Sequence, residues 1–498
     1  MKKINIIYSL FLVVFFTSCS NFLDVNPKAE VVNDDMFDNV QGCEDAITGI
    51  YGKLKKNEMY GEYYNWGVFD ILSQDLDCGP QVTPQYYLTL YNYKETATIL
   101  EAMWKEPYEI IGYINNAIFN LEKKTAGTFP YLNLYKGELY ALRAMLHFDL
   151  VKCFAPHVEI KGDAQGIPYV TEYSFKHTPF STVRGVYEKI IADLKTAQTN
   201  LEEDKNNLSW PRNDTDDKIT NFLKYRQTHM NYYATTGLLA RVLRMKGDYN
   251  AARTEALKVI NSKCFPLASK DEIVSLVAGN LSSKETLFGI YSTRYVETTK
   301  LRLYDGASWT SYAPYQTSTG GQFLFDYQEI YSADLGENAG LDNRLSWIRS
   351  LELGGTRKHL LKNVDVTYIE NAQMSPTYRK LIDGISLIRV PEMYYIVAEA
   401  YIRENNLSEA ANYINAVLLS RGLTRLEDRT PQLTPSLDLL YSERYKELYG
   451  EGQRWFDMKK LNLNIRSNTE LKEIAASDVL YVFPIPEKEF EYRTQEKN

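Results

Sequence analysis

Residues 443–458 read ERYKELYGEGQRWFDM. Three glutamates recur at four-residue spacing and alternate with basic side chains, a pattern typical of a helix that ends in the Gly450–Gly452 turn. Arg454 can pair with a buried acid, while the large apolar ring of Trp455 packs. We therefore interpret this stretch as structural and do not expect it to contact a ligand.

Helical patterns come in pairs on the N-terminal side of this stretch. Each pair consists of two segments with apolar residues at spacings of three and four, and small residues stand where the two helices would cross. The segments are, in chain order, Gly137–Phe154 with Val183–Leu201, His229–Lys246 with Tyr249–Ile260, Glu392–Arg403 with Ser408–Leu419, and a fourth pair that begins with Ser436–Leu448. Thr182 is placed to cap the Val183 helix.

These pairs predict a mainly α fold, an α-α superhelix of about four tetratricopeptide-like helix pairs. Each pair buries its apolar face on the next one, as in other helical repeats. The repeats are interrupted by long connections, which predict irregular, loop-rich insertions and a few short strands. The connections lie at Tyr60–Tyr93, Glu203–Thr228, Ser269–Tyr331 and Ala333–Gly384.

The composition excludes several classes of protein. The chain has 56 Lys and Arg against 64 Asp and Glu, a net charge of −8, which argues against a nucleic-acid-binding protein. Aromatic residues make up 13% of the chain, and 39 of them are tyrosines. Tyrosine combines a stacking face with a hydroxyl group, so this excess suits a packed helical core or a recognition surface.

The N-terminus has the pattern of an export signal. Two lysines precede the apolar run Ile6–Phe16, which is too short to span a membrane, and Thr17-Ser18-Cys19 follows. We predict that residues 1–18 are a signal peptide and that Cys19 is the lipidated first residue of the mature protein, because the motif resembles a bacterial lipobox. The alternative is an ordinary signal peptide with a cysteine at its cleavage site by chance.

Six motifs resemble those of the SusD/RagB family, in the family's order and over nearly the whole chain. They are Cys19–Pro27, Arg143–Val151, Val186–Leu194, Ile388–Tyr401, Glu443–Met458 and Phe483–Glu489. The resemblance implies a single domain over residues 19–498, with an N-terminal part at about 19–230 and a C-terminal part at about 231–498.

The resemblance also implies a function. Proteins of this family are surface-exposed outer-membrane lipoproteins that cap a SusC-like TonB-dependent transporter. They capture a nutrient for import, usually a glycan and sometimes a peptide, without catalysis. We accordingly expect a glycan ligand, a transporter partner, a lipid anchor in the outer membrane, and neither a cofactor nor a metal ion.

Two aromatic clusters in the connections are candidates for the glycan-binding platform. Sugar recognition needs flat aromatic faces together with a few polar groups for the hydroxyls. The first cluster includes Tyr60, Tyr63, Tyr64, Asn65, Trp66, Tyr86, Tyr87, Tyr91 and Tyr93, and the second includes Tyr304, Asp305, Trp309, Tyr312, Tyr315 and Gln316. From these we select as ligand-binding residues Tyr64, Trp66, Tyr86, Tyr87, Tyr91, Trp309, Tyr312 and Tyr315.

Three other functions stay open at this point. The acidic net charge could suit a RagB-like receptor for basic peptides. A surface glycosidase needs only two suitably placed carboxylates, and 64 acids leave that possible. A purely structural helical scaffold is the third. The sequence contains no P-loop, no His-Glu-x-x-His motif and no Gly-x-Ser-x-Gly elbow, which weighs against an enzyme.

Overall fold

The computed structural model describes residues 36–78, 83–174, 176–214, 218–275, 281, 283–304, 313–314, 331, 342–349, 359–371, 384–468, 470, 472–491 and 493. The signal peptide and Cys19 therefore lie outside the described residues. Among the helices within these ranges, none combines the length and the apolar character that crossing a membrane requires.

Helices account for most of the regular structure. They are α1 Val40–Leu54, α2 Val68–Leu72, α3 Pro84–Thr89, α4 Ala97–Leu121, α5 Leu132–Phe154, α6 Val158–Lys161, α7 Val183–Asn200, α8 Tyr232–Lys246, α9 Tyr249–Ser262, α10 Lys270–Ser275, α11 Tyr295–Thr299, α12 Val366–Asn371, α13 Val390–Arg403, α14 Leu407–Ser420, α15 Leu437–Leu448, α16 Arg454–Leu461, α17 Asp478–Tyr481 and α18 Lys488–Glu491.

The strands are short and pair in twos. They are β1 Leu76–Asp77, β2 Gln165–Pro168, β3 Phe180–Thr182, β4 Thr286–Tyr291, β5 Ala313–Pro314, β6 Ile348–Arg349, β7 His359–Leu360, β8 Gly384–Arg389, β9 Ile465–Ser467 and β10 Lys472–Ile474. All pairs are antiparallel: β1 with β5, β2 with β3, β4 with β8, β6 with β7, and β9 with β10. The pairs β1 with β5 and β4 with β8 join segments that are distant in sequence, whereas the other three are local.

The long helices stack in succession, and this confirms the first three of the predicted helix pairs. Helix α5 packs on α7, α7 on α8, α8 on α9, α9 on α13, and α13 on α14. The predicted cap is present, because the Thr182 side chain accepts a hydrogen bond from the Gly185 N–H. Ala252, Ala256 and Ala410 are buried at the helix crossings, where small side chains let the helices approach closely.

The stretch Glu443–Met458 is structural, as its sequence indicates. Trp455 is fully buried, and the Arg454 guanidinium forms an ion pair with the buried carboxylate of Asp75. Glu447 lies among three buried arginines of other elements, which bind the end of α15 to the rest of the core. An isolated buried charge is strongly unfavourable, so these groups are stable only as a paired network.

Candidate ligand-binding site

A cavity of about 650 Å³ lies between the segment that precedes α8 and the end of β4. Three aromatic side chains line it: Trp210, Tyr225 and Tyr291. Their exposed fractions are 39%, 52% and 54%, which makes them three of the most exposed large aromatic residues in the described chain. We refer to this space as the aromatic cavity.

Arg212 fixes one wall of the aromatic cavity. Its guanidinium donates to the backbone carbonyls of Leu281, Ser283 and Thr286 at 3.2, 2.6 and 3.2 Å. The guanidinium carbon lies 5.3 Å from the ring centroid of Trp210, within the range of a cation–π contact. Burial lowers the pKa of Arg212 to about 10, which still leaves the side chain charged at neutral pH.

Tyr225 occupies a strained position on another wall. Its backbone is in the left-handed region with φ 53°, which costs a residue with a Cβ atom about 1–2 kcal/mol. The Tyr225 N–H donates to Asp214 Oδ1 at 2.9 Å, which supports this conformation. Because such strain persists only where its surroundings enforce it, the backbone that carries this exposed ring has a fixed conformation.

The residue after Tyr225 anchors this wall to the core. Arg226 is buried and donates to Asp204 through two nitrogens at 2.9 and 2.8 Å, and to Glu138 of α5 at 2.6 Å. Burial alone would raise the pKa of Glu138, but the neighbouring His229 and Arg226 outweigh it and lower that pKa to about 2. The ion pairs therefore hold at neutral pH, and the flanking residues have fixed places.

Gln227 has a buried amide oxygen without a hydrogen-bond donor among the described residues. The residue lines the cavity and is only 4% exposed. Among the residues that the structure describes, none donates a hydrogen bond to its Oε1 atom. An unpaired buried acceptor is unfavourable by about 1–3 kcal/mol. Because this oxygen is closed to solvent, it lies behind the cavity wall and is not a contact point for a ligand hydroxyl.

The aromatic cavity thus combines the two kinds of contact that a sugar requires. Exposed aromatic faces can cover the apolar faces of pyranose rings, and convergent polar groups can bind their hydroxyls. Arg212, Asp214 and Gln227 supply a charged donor, a charged acceptor and an amide around the rings. Groups of three or more His, Cys, Asp or Glu side chains able to hold a metal ion are absent from the described part of the chain.

Two of the predicted site residues belong to the core. Trp66 is fully buried, and Tyr64 is 6% exposed with its hydroxyl donating to the Met103 carbonyl of α4. The segment that contains them was expected to be an irregular connection, but it folds against α4 and fills the interior. These two rings have no face available to a surface ligand, so we exclude them from the site.

Of the other six predicted residues, three are half-buried and three lie outside the described ranges. Tyr86 and Tyr87 are half-buried, with ring centroids 5.9 Å apart. Tyr91 is half-buried as well, and its ring stacks on Trp455. Trp309, Tyr312 and Tyr315 lie outside the described residues. Strand β5, which lies between Tyr312 and Tyr315 in sequence, pairs with β1, with Leu76 opposite Pro314 and Asp77 opposite Ala313.

The residues of the aromatic cavity are not among those predicted from the sequence. Trp210 and Tyr225 lie in the predicted irregular connection 203–228, and Tyr291 lies in the connection 269–331, where it ends strand β4. The presence of a Trp and a Tyr within a polar, proline-containing connection could have indicated two of these residues. Their convergence with Tyr291 depends on the tertiary fold.

Comparison with known families agrees with the motifs. Residues 21–213 match the family model described as starch-binding and associating with outer membrane, and residues 328–461 match the model of the SusD family. The chain belongs to the SusD/RagB family. SusD-like protein P2 of Formosa agariphila is 26% identical over 504 residues, which cover 93% of this chain and 91% of that protein.

Solved structures of the SusD superfamily share the fold. A SusD superfamily protein from Bacteroides thetaiotaomicron is similar with a TM-score of 0.70 at 24% identity, over 92% of this chain and 98% of that one. A laminarin-binding SusD-like protein has a TM-score of 0.62 at 17% identity, over 91% and 97% of the two chains. The predicted mainly α superhelix is therefore confirmed for this SusD/RagB protein.

Proposed function

We propose that this protein is a cell-surface lipoprotein that captures an oligo- or polysaccharide and delivers it to a SusC-like TonB-dependent transporter in the outer membrane. The observation that carries the proposal is the aromatic cavity, where three exposed rings line one space together with the charged side chains of Arg212 and Asp214. Membership of a family described as starch-binding supports the same ligand class.

In the proposed complex, the aromatic rings bind the apolar faces of successive sugar units. The ring of Trp210 is held by the fixed guanidinium of Arg212, so it is preorganised for stacking. A sugar hydroxyl donates to the carboxylate of Asp214, which also lines the cavity. Preorganised groups lose little conformational entropy on binding, and this favours affinity.

The residues predicted from the sequence form the second part of the proposed platform. We retain Tyr86, Tyr87 and Tyr91 together with the group Trp309, Tyr312 and Tyr315. The pairing of β1 with β5 supports this proposal, since it ties the segment after α2 to the segment that carries the second cluster.

The proposed cellular role depends on the anchor and the partner. Lipidation of Cys19 would attach the protein to the outer membrane, and the lipobox-like motif supports this. We expect Cys19→Ala to release the protein from the membrane fraction. We also expect the lipidated protein to co-purify with a large TonB-dependent β-barrel, and its purification without such a partner would contradict the transporter role.

The central experiment tests the ligand class and the cavity together. Purified protein is applied to a microarray of plant, algal, fungal and mucosal glycans and to a set of basic peptides. Binding to a glycan supports the proposal, whereas binding to peptides alone would favour the peptide receptor. Release of reducing sugar from the bound glycan would show an enzyme instead of a binding protein.

Trp210→Ala then tests the site. The exposed 39% of this side chain corresponds to about 100 Å². At about 25 cal/mol/Å² its complete coverage by sugar is worth about 2.5 kcal/mol, so we expect affinity to fall by up to about 70-fold. Phe119→Ala is the matched control, because Phe119 is 51% exposed on α4 and does not line the cavity. Equal glycan affinities of the two variants would place the ligand elsewhere.

A further inference from the structure

A second groove lies between α1 and α4. It has a volume of about 550 Å³ and shares no lining residue with the aromatic cavity. Gly49 of α1 and Gly112 of α4 line it, together with Tyr113 and the loop residue Tyr173. We refer to it as the glycine groove.

The two glycines stand where packing does not require them. Both lie in helix interiors, where glycine is the least favourable residue apart from proline. Apart from the two chain neighbours and the backbone of the same helix, no heavy atom of the described residues lies within 4 Å of the position that a Cβ atom would take at Gly49 or Gly112. Close helix contact therefore does not explain them. Their effect is to leave the groove floor free of side chains.

Exposed aromatic rings border this floor. Tyr113 is 45% exposed and Tyr173 is 58% exposed. Tyr113 is held in place, because the Lys53 Nζ lies 4.4 Å from its ring centroid and its hydroxyl donates to Glu109 Oε1 at 3.3 Å. Lys53 and Glu109 also form an ion pair of 3.0 Å. The groove therefore presents a positioned ring beside fixed charges.

Polar side chains complete the lining. Asp45 of α1 and Asn116 of α4 both line the groove, on the two helices that form it. Flat rings, an open floor and carboxylate and amide groups at the edges form a combination that suits a carbohydrate chain, whose faces are apolar and whose edges carry hydroxyls.

We infer that the glycine groove is a second carbohydrate-binding site, which holds a further stretch of the same polysaccharide outside the aromatic cavity. The inference rests on the proposed function for its ligand class. Two sites on one protein convert the second binding event into an intramolecular one, so a long chain is held more tightly than a short oligosaccharide. The groove thus adds selectivity for polymer over fragment.

Gly112→Leu is the first test. Leucine favours a helix more than glycine does, and the space above Gly112 is open, so the variant fills the groove without disturbing α4. Tyr173→Ala is the second variant, since an exposed loop side chain can be removed without affecting folding. Phe119→Ala is the control, because this exposed ring on the same helix does not line the groove.

Polymer binding is measured by running the variants in native gels that contain soluble starch, laminarin, xylan or polygalacturonate. Oligosaccharide affinity is measured by titrating each variant in a calorimeter with a hexasaccharide of the polymer that retards the wild type. We expect Gly112→Leu and Tyr173→Ala each to weaken polymer binding about 10-fold, with hexasaccharide affinity nearly unchanged. Trp210→Ala should weaken both. Thermal melts confirm that each variant is folded.

The possible failures are distinguishable. Suppose that both groove variants are retarded as strongly as the wild type, in a gel that no longer retards Trp210→Ala. This result would overturn the inference and leave the proposed function intact. The same holds if the groove variants change only the oligomeric state or the co-purifying membrane proteins, since the occupant would then be a protein. A wild-type protein that no gel retards would contradict the proposed function itself.

Discussion

Replacing Glu447 by glutamine should destabilise the fold more than any single change at the surface. Both carboxylate oxygens of this fully buried residue accept hydrogen bonds from Arg421, at 2.8 and 2.9 Å, and one also accepts from Arg389 at 2.8 Å. Arg344 lies 3.5 Å away. Burial opposes ionisation, but the arginines outweigh it and hold the pKa of Glu447 below its ordinary value.

The expected loss follows from these contacts. The Glu447→Gln variant keeps the shape of the side chain but removes its charge, which leaves the arginines less compensated in the core. Removing one partner of a buried ion pair costs about 3–5 kcal/mol. For 498 residues the unfolding entropy is about 1 kcal/mol/K, so the melting temperature should fall by about 3–5 °C.

Differential scanning calorimetry measures this shift, with Glu101→Gln as the control. Glu101 forms an exposed ion pair with Lys488 at 2.6 Å, with side chains 40% and 70% exposed. Such a surface pair is worth at most about 1 kcal/mol. If the Glu447→Gln and Glu101→Gln proteins melt within 1 °C of each other, the buried network does not stabilise the fold in the way argued.

Three further outcomes are expected. The pKa of Glu138 is lowered to about 2, so its ion pairs contribute stability that is present above about pH 4.5 and lost as the pH falls towards 2. The urea concentration at the unfolding midpoint should therefore fall over this pH range, and it should fall less steeply for Glu138→Gln. Gln227→Leu removes a buried oxygen that has no hydrogen-bond donor among the described residues, so its melting temperature in calorimetry should equal or exceed that of the wild type, and a lower one would contradict this reading. Replacing Tyr86 and Tyr87 together by alanine should weaken polysaccharide retardation in affinity gels, and unchanged retardation would remove both residues from the platform.

Local patterns were sufficient to predict most of the helical fold. The 3.6-residue periodicity locates the pairs α8 with α9 and α13 with α14, and Thr182 marks the start of α7, because these signals depend on neighbouring residues only. The core role of Trp455 followed from the same reasoning. Sequence motifs then identified the family.

The ligand site was less predictable for a physical reason. Trp66 and Trp210 both lie in connections rich in polar residues, yet the first is fully buried and the second is 39% exposed. Which ring is exposed depends on whether a distant helix covers it, as α4 covers the segment around Trp66. The aromatic cavity joins residues from three separate segments, and only the folded chain brings them together.

The anchoring of Arg226 has a consequence for how ligand preference can change over time. Its ion pairs to Glu138 and Asp204 are internal, while Tyr225 and Gln227 on either side face the cavity. If the cavity binds ligand as proposed, substitutions at 225 and 227 would change the ligand preference while the ion pairs of Arg226 keep the wall in place. New specificities would then arise by few mutations, without loss of stability in the scaffold.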